Sequence, residues 1–232
     1  MSRRIRKHAN PFNVTTRLGR VDRAAIFGRT APVEIDLGCG GAKLLFERAR
    51  NHPDLDFMGL EVRRPVVELA MARKVKEGPS NVVVFYANAH GNLEDLVEPG
   101  GVRMFHIHFP DPCFKKKHRK RRILQPPLVR RMAELLPVGG VVYAQSDVRP
   151  LAEEMAHFLS HESAFEGRIL ERDEHPIPER TEWELQHERE GEPVYRMWFA
   201  KVREPSGPVH GYDLRDTRPP ELRREGEAEE TE

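Results

Sequence analysis

The sequence predicts an α/β fold in which helices cover both faces of a mostly parallel central sheet. Between residues 33 and 160, short apolar runs alternate with segments whose apolar residues recur at helical spacing. Glycines or polar residues follow these apolar runs, where the carboxyl ends of parallel strands would meet. The length of 232 residues and the hydrophobic content of 38% suit one domain of ordinary size with tails.

Each strand is predicted from a short run rich in β-branched or aromatic residues that ends at a glycine, a proline or a polar residue. The five strands of the alternating region are residues 33–37, 57–61, 81–87, 103–109 and 141–145. The signal weakens after residue 160, and one further strand is predicted over residues 194–202.

The helices are predicted from apolar spacing and from the residues that begin or end a helix. Pro65 suits the first turn of one helix, and Gly78 followed by Pro79 ends it. The predicted helices are residues 42–50, 65–77, 93–97, 127–136 and 151–160.

Charge is distributed unevenly although the net charge is only +1. Residues 1–30 hold eight Arg or Lys against one acid, and residues 115–122 read KKKHRKRR. Separate basic patches favour a polyanionic partner, and the alternative is a solvated charged face. We predict a basic flexible arm over residues 1–30, one domain over residues 31–202, and a disordered tail over residues 203–232.

Several classes of protein are excluded by what the sequence lacks. Two cysteines cannot form a disulfide framework, and they indicate a reducing compartment. There is no apolar run of transmembrane length and no secretory signal, so we expect a cytoplasmic protein without a membrane partner. Neither C-x-x-C nor H-E-x-x-H occurs, so no metal site is predicted.

A glycine-rich turn follows the first predicted strand. Gly38 and Gly40 would let the backbone approach a ligand closely, and Glu61 ends the second strand about twenty residues later, where an acid can accept hydrogen bonds from ribose hydroxyls. The third glycine of a dinucleotide fingerprint is missing. The pattern therefore favours S-adenosylmethionine over NAD, and the alternative is an unrelated structural turn.

Residues 109–122 combine a rigid acidic turn with the basic run. Asp111 lies between two prolines just after the fourth strand, and the basic residues follow at once. A carboxylate there can accept N–H groups from a purine edge while Lys and Arg bind the nucleic-acid backbone. The structural alternative for Asp111 is an ordinary turn or a helix N-cap.

Five segments together resemble the bacterial tRNA (guanine-N7)-methyltransferases. They are residues 34–40 (EIDLGCG), 59–62 (GLEV), 109–112 (FPDP), 115–122 and 181–184 (TEWE). The resemblance extends over about residues 30–202. It implies a Rossmann-like class I methyltransferase fold, S-adenosylmethionine as methyl donor, and the variable-loop guanosine of tRNA (position 46) as acceptor.

The resemblance also implies roles for individual residues. Asp111 matches the residue with a catalytic role. The cofactor contacts, with the turn glycines, are Glu34, Gly38, Gly40, Glu61 and Asn88. The substrate contacts are Lys115, Asp147, Thr181 and Glu184. Three positions depart from the family pattern, which has Asp, Trp and Thr where this chain has Asn88, Cys113 and Ser146.

Structural alternatives accompany some of these residues. His106 and His108 alternate along a buried strand, so we expect them to be packed and hydrogen-bonded rather than ligands. Thr181 and Glu184 have the spacing of a helix capping box. Both tryptophans, Trp183 and Trp198, are expected in the core.

Other functions stay open at this stage. A methyltransferase acting on protein or a small metabolite would not need the basic run, and a non-catalytic RNA-binding module would not need Glu34 and Glu61. A nicotinamide dehydrogenase is a weaker alternative. Monomer and homodimer are both compatible with the sequence.

Overall fold

A seven-stranded sheet forms the centre of the computed structural model, which describes residues 9–207. Its strands are β1 (Val33–Leu37), β2 (Asp56–Glu61), β3 (Val82–Tyr86), β4 (Val102–His108), β5 (Val141–Ser146), β6 (Phe165–Ile169) and β7 (Tyr195–Lys201). They lie in the order β3-β2-β1-β4-β5-β7-β6. Strands β1 to β5 are parallel, and β7 runs antiparallel between β5 and β6. The predicted mostly parallel sheet is confirmed.

Helices pack on both faces of this sheet. They are α1 (Arg23–Phe27), α2 (Lys43–Asn51), α3 (Arg64–Glu77), α4 (Leu93–Leu96), α5 (Pro126–Leu135), α6 (Arg149–His161) and α7 (Glu182–Glu190). The larger apolar cluster joins the sheet to α5 and α6, and a second cluster joins it to α2 and α3. The five predicted helices are present with ends that differ by a residue or two.

Besides the short helix α1, which lies in the predicted arm, two elements of the described chain, β6 and α7, were not predicted. Strand β6 is an edge strand whose central residues are exposed and polar or glycine, so it has no apolar run. Helix α7 buries only Glu184, which is charged, so it has no apolar stripe. Pattern-based prediction depends on apolar periodicity, and neither element has any.

The N-terminal segment, residues 9–22, lies against the chain that follows β3. The Asn92 side chain accepts a hydrogen bond from Leu18 N (2.9 Å) and donates one to Thr16 O (3.0 Å), and Val21 N donates to Asp95 O (2.7 Å). Thr16 and Leu18, which fall in the predicted flexible arm, therefore pair through their backbone with the buried side-chain amide of Asn92. The rest of that arm, residues 1–8, lies outside the described residues.

The predicted tail begins in the described region and continues outside it. Ser163 Oγ donates to Ser206 O (3.2 Å), so the first residues of the tail lie against the domain. Residues 208–232 are outside the described part. Among the helices of residues 9–207, none is both long and apolar enough to span a bilayer.

Candidate active site

A cavity of about 530 Å³ opens at the carboxyl ends of the parallel strands. It lies where such folds bind ligands, because the loops after β1 and β4 diverge there. Five of the predicted site residues line it together: Gly38, Glu61, Asn88, Asp111 and Asp147.

Gly38 of the glycine-rich turn lines this cavity, whereas Gly40, which was also predicted as a cofactor contact, does not. Gly38 (φ 89°) and Gly40 (φ 55°) both adopt left-handed backbone conformations, which glycine enters without steric cost. Gly38 N donates to Leu60 O (2.8 Å), and Gly40 N donates to Glu61 Oε2 (3.1 Å). The turn is thereby joined to the end of β2.

The Glu61 carboxylate is only 3% exposed but lines the cavity. It accepts hydrogen bonds from Arg63 N (2.9 Å) and Arg63 Nη2 (2.8 Å) as well as from Gly40 N. The side chains of Leu37, Leu60 and Ala87 supply apolar lining beside it. An acid at a strand end with an apolar surface next to it fits the ribose and base of a nucleoside cofactor.

Asn88 connects the cavity to the N-terminal segment. Its Nδ2 donates to Pro11 O (3.0 Å), and its Oδ1 accepts from His90 N (3.2 Å). Ala9 and Pro11 line the cavity in consequence. Sequence reasoning missed this contribution, because residues 9–22 have no periodic pattern and depend on distant partners.

Asp111 lies on an exposed loop of unusual backbone geometry. Phe109 (φ 47°) and Cys113 (φ 45°), on either side of Pro110-Asp111-Pro112, adopt left-handed conformations although neither is glycine. Cys113 N donates to Asp111 Oδ1 (2.9 Å), closing a tight turn on the carboxylate. Phe114, 73% exposed, lines the same cavity.

The Asp147 side chain orients an aromatic ring at the cavity. Its Oδ2 accepts from Trp183 Nε1 (3.4 Å) and lies 3.4 Å from His187 Nε2. Trp183 lines the cavity and is 49% exposed, so its predicted place in the core is wrong. The reason is that α7 presents this face to the cavity, which its own sequence does not indicate.

Glu34 lies away from the cavity, in contrast to the predicted cofactor contact. It is fully buried and accepts from Arg48 Nε and Nη2 (both 2.9 Å), and it lies 2.8 Å from His106 Nε2. Burial alone would raise the pKa of Glu34, but the hydrogen bonds and charges of His106 and Arg48 outweigh it and lower the pKa to about 2. In this structure Glu34 is a structural ion-pair partner.

Thr181 and Glu184 also lie outside the cavity lining, contrary to the predicted substrate contacts. Thr181 Oγ1 accepts from Glu184 N (3.0 Å), so the helix-capping alternative is confirmed at the start of α7. Glu184 is 1% exposed and pairs with Arg196 Nη2 (2.7 Å). Lys115 is exposed at the start of the 3-10 helix Lys116–Arg121 and does not line the cavity.

The two strand histidines are packed and hydrogen-bonded, as predicted. His108 Nδ1 lies 2.8 Å from Gln145 Oε1 and the residue lines the cavity. Burial, with the nearby His106 as a second cause, lowers the pKa of His108 to about 3. At neutral pH this imidazole is therefore uncharged.

Asp36 is a buried acid that the sequence reasoning left out. It is 3% exposed, its Oδ1 has no hydrogen-bond partner, and burial followed by the charge of Glu61 raises its pKa to about 8. The sequence does contain a signal for Asp36. It lies two residues before Gly38 and on the same strand face as Glu34, which marks it as an acid close to the glycine-rich turn.

Comparisons with known proteins agree with this geometry. A family model described as "Putative methyltransferase" matches residues 30–197. The solved structure of the 16S rRNA methyltransferase KamB covers 77% of this chain and 92% of its own, with a TM-score of 0.56 and 19% identity. An S-adenosylmethionine-dependent O-methyltransferase from Thermotoga maritima covers 79% of this chain and 64% of its own, with a TM-score of 0.51 and 18% identity.

Curated relatives are more similar in sequence. A tRNA (guanine-N(7)-)-methyltransferase from Synechococcus sp. (strain JA-3-3Ab) is 37% identical over 87% of this chain and 87% of that protein. Another from Pseudoalteromonas atlantica is 35% identical over 79% of this chain and 78% of that protein.

The fold and the cavity define a class I methyltransferase, and S-adenosylmethionine is the cofactor of these enzymes. Within this class, the chain belongs to the tRNA (guanine-N(7)-)-methyltransferase family.

Proposed function

We propose that this protein transfers the methyl group of S-adenosylmethionine to N7 of the variable-loop guanosine of tRNA, position 46. One observation carries the proposal. A single cavity holds both a nucleoside-type surface, with Gly38, Glu61 and Asn88, and the Asp111 loop. That loop continues directly into the basic 3-10 helix Lys116–Arg121.

The cofactor would lie in the cavity against Gly38 and Glu61, with its adenine towards Asn88. Both carboxylate oxygens of Glu61 accept hydrogen bonds from the Arg63 side chain, so ribose hydroxyls would share or replace these hydrogen bonds. When bound, the cofactor supplies an electrophilic methyl group on a sulfonium. The remaining requirements are met by residues of this chain.

The acceptor chemistry needs orientation more than proton transfer. The N7 lone pair of guanine lies in the ring plane and is nucleophilic without deprotonation. The protein must therefore hold N7 close to the methyl carbon and in line with it. Asp111 would accept N–H groups of the guanine edge, and its charge would stabilise the positive charge that develops on the base.

The exposed lysines after the loop would bind the tRNA backbone. Lys115, Lys116, Lys117 and Lys120 are all exposed beside the cavity loop. A concentrated positive face attracts phosphates without reading sequence. RNA binding and action in the cytoplasm, where tRNA is modified, belong to the same proposal.

The test uses a tRNA transcript with guanosine at position 46 and a matched transcript with 7-deazaguanosine there. The wild-type chain should incorporate labelled methyl groups only into the first transcript, because the second lacks the N7 lone pair. Equal incorporation into both would place the methyl group on another atom. Tight tRNA binding without any incorporation would instead indicate a non-catalytic RNA-binding module.

A further inference from the structure

Arg122 ends the basic run but differs from the lysines before it in burial. Its residue exposure is 9%, whereas Lys115, Lys116 and Lys117 are exposed. A guanidinium in that position is turned inward and away from a bulky polyanion. Its contacts within the domain therefore indicate its role.

The guanidinium of Arg122 joins the Asp111 loop to helix α6. Its Nε donates to Pro112 O (2.8 Å), and its Nη1 forms an ion pair with Glu154. Glu154 lies on α6 and is 5% exposed, so the pair is shielded from solvent. Pro112 is the residue directly after Asp111, so this hydrogen bond acts one peptide unit away from the carboxylate.

The loop needs such support because its backbone is strained. Phe109 and Cys113 both have positive φ angles without being glycine, and such residues persist only where surrounding contacts hold them. Phe109 N donates to Gln145 O (2.9 Å), which holds the start of the loop on β5. Arg122 supplies the corresponding contact near its end.

We propose that Arg122 is a positioning residue for the methyl transfer, held by Glu154, and that it does not bind tRNA phosphate. It keeps the Pro110-Asp111-Pro112 turn in the conformation that presents Asp111 to the cavity. This inference rests on the function proposed above. Arg122 would then have a different role from the other residues of the basic run, although the sequence alone groups it with them.

The experiment compares Arg122→Gln and Glu154→Gln with the control Arg168→Gln, an exposed arginine of the edge strand β6 that pairs with Glu174, outside the basic run. The methyl-transfer rate is measured in single turnovers at saturating tRNA and S-adenosylmethionine, below the melting temperature of each variant. The tRNA dissociation constant is measured at several salt concentrations. These readouts separate positioning from phosphate binding.

Both Arg122→Gln and Glu154→Gln should slow the saturated rate by about tenfold to a hundredfold, the size expected when a reacting group is misplaced. Their salt dependence of tRNA binding should match the wild type. Arg168→Gln should keep both the saturated rate and the salt dependence of the wild type, because Arg168 lies on the edge strand β6 and does not line the cavity.

Arg122→Lys gives a second, independent criterion. A phosphate ligand tolerates lysine, because the charge is retained, whereas the positioning role needs Nε and Nη1 to donate at the same time. The rate should therefore stay low in Arg122→Lys. The inference is overturned if Arg122→Gln lowers the salt slope and keeps a normal saturated rate, or if lysine restores the wild-type rate. A wild-type chain inactive on tRNA would refute the proposed function instead.

Discussion

Asp111 and Asp36 lie at the same end of the sheet in opposite surroundings. Asp111 is exposed on a loop that lines the cavity, whereas Asp36 is buried behind the glycine-rich turn with an unpartnered Oδ1. An exposed carboxylate can contact a substrate, while burial of a carboxyl group without a cation favours its neutral form. The two residues therefore lead to different predictions.

Replacing Asp111 by Ala should abolish methyl transfer and leave S-adenosylmethionine affinity nearly unchanged. The carboxylate belongs to the Pro-Asp-Pro turn, and the glycine-rich turn and Glu61 lie on other strands. Rate assays and isothermal titration measure the two effects separately. A loss of cofactor affinity equal to the loss of rate would assign Asp111 to the cofactor.

The Asp36 carboxyl should make the fold less stable as the pH rises. Burial raises its pKa from an ordinary value of 3.8 to about 8 in the folded state, so between these limits the folded state holds a proton that the unfolded state releases. The free energy of unfolding therefore falls with rising pH across that window.

Urea unfolding at about pH 6 and about pH 8 measures this effect by linkage. The decrease between the two pH values should be smaller in Asp36→Asn, which has no proton to release. Because the two proteins share all other titrating groups, the difference between their two decreases measures the proton release of Asp36. Identical decreases in both proteins would show that Asp36 is ionised in the folded state.

At the scale of elements, Arg48 joins three parts of the chain. It extends from α2 to Glu34 on β1, and its Nη1 donates to Glu179 (2.6 Å) in the segment before α7. Asn51 Nδ2 also donates to Glu179 (2.8 Å). A buried charge cluster of this kind needs every partner, since removing one leaves the others uncompensated.

Replacing Arg48 by Met should lower the free energy of unfolding by about 3–5 kcal/mol, because Glu34 and Glu179 would be left buried without their cation. Chemical denaturation measures the change. Lys43→Met is the matched control on the same helix and should cost less than about 1 kcal/mol, because its ion pair with Glu182 is exposed at the surface. Equal losses in both variants would mean that the buried cluster does not stabilise the fold.

The side-chain amide of Asn88 is one of the contacts that hold the N-terminal segment. Replacing Asn88 by Asp removes the donor to Pro11 O and brings a negative charge towards that carbonyl. Backbone amides of residues 14–21 should then exchange hydrogen faster, since their contacts lie next in the chain. Unchanged exchange there would show that the contacts of Asn92 hold the segment alone.

At the scale of the whole molecule, the exposed basic run faces solvent beside the cavity. Binding of a polyanion to such a surface releases counterions, so tRNA affinity must fall with salt. Replacing Lys116, Lys117, Arg119 and Lys120 by Ala should weaken binding and flatten the slope of log K against log salt by about 0.7–0.9 for each phosphate that the variant no longer neutralises. Cofactor affinity should not change. An unaltered slope with preserved tRNA affinity would identify the run as a solvated face.

The sequence was sufficient for the parallel part of the sheet and for the convergence of Gly38, Glu61, Asn88, Asp111 and Asp147 at one edge. Short apolar runs that alternate with segments of helical spacing predict buried strands, and parallel strands place their carboxyl ends at the same edge of the sheet. Residues that follow those ends are therefore predictable as a group. The same logic fails for β6 and α7, whose polar sequences carry no period.

Tertiary structure alone decided which acids of the strands face the cavity. Glu34 and Glu61 look alike in the sequence, yet Glu34 pairs with Arg48 from α2 and His106 from β4 away from the cavity, while Glu61 pairs with Arg63 and lines the cavity at the end of β2. Tertiary structure also decided the place of Arg122 in the basic run. Its side chain is buried because it pairs with Glu154, which lies 32 residues further along the chain. The position of a buried charged side chain depends on its oppositely charged partners, and these partners are distant in sequence. Hydrophobic periodicity is local and thus readable in the chain, whereas the pairing of buried charges exists only once the chain has folded.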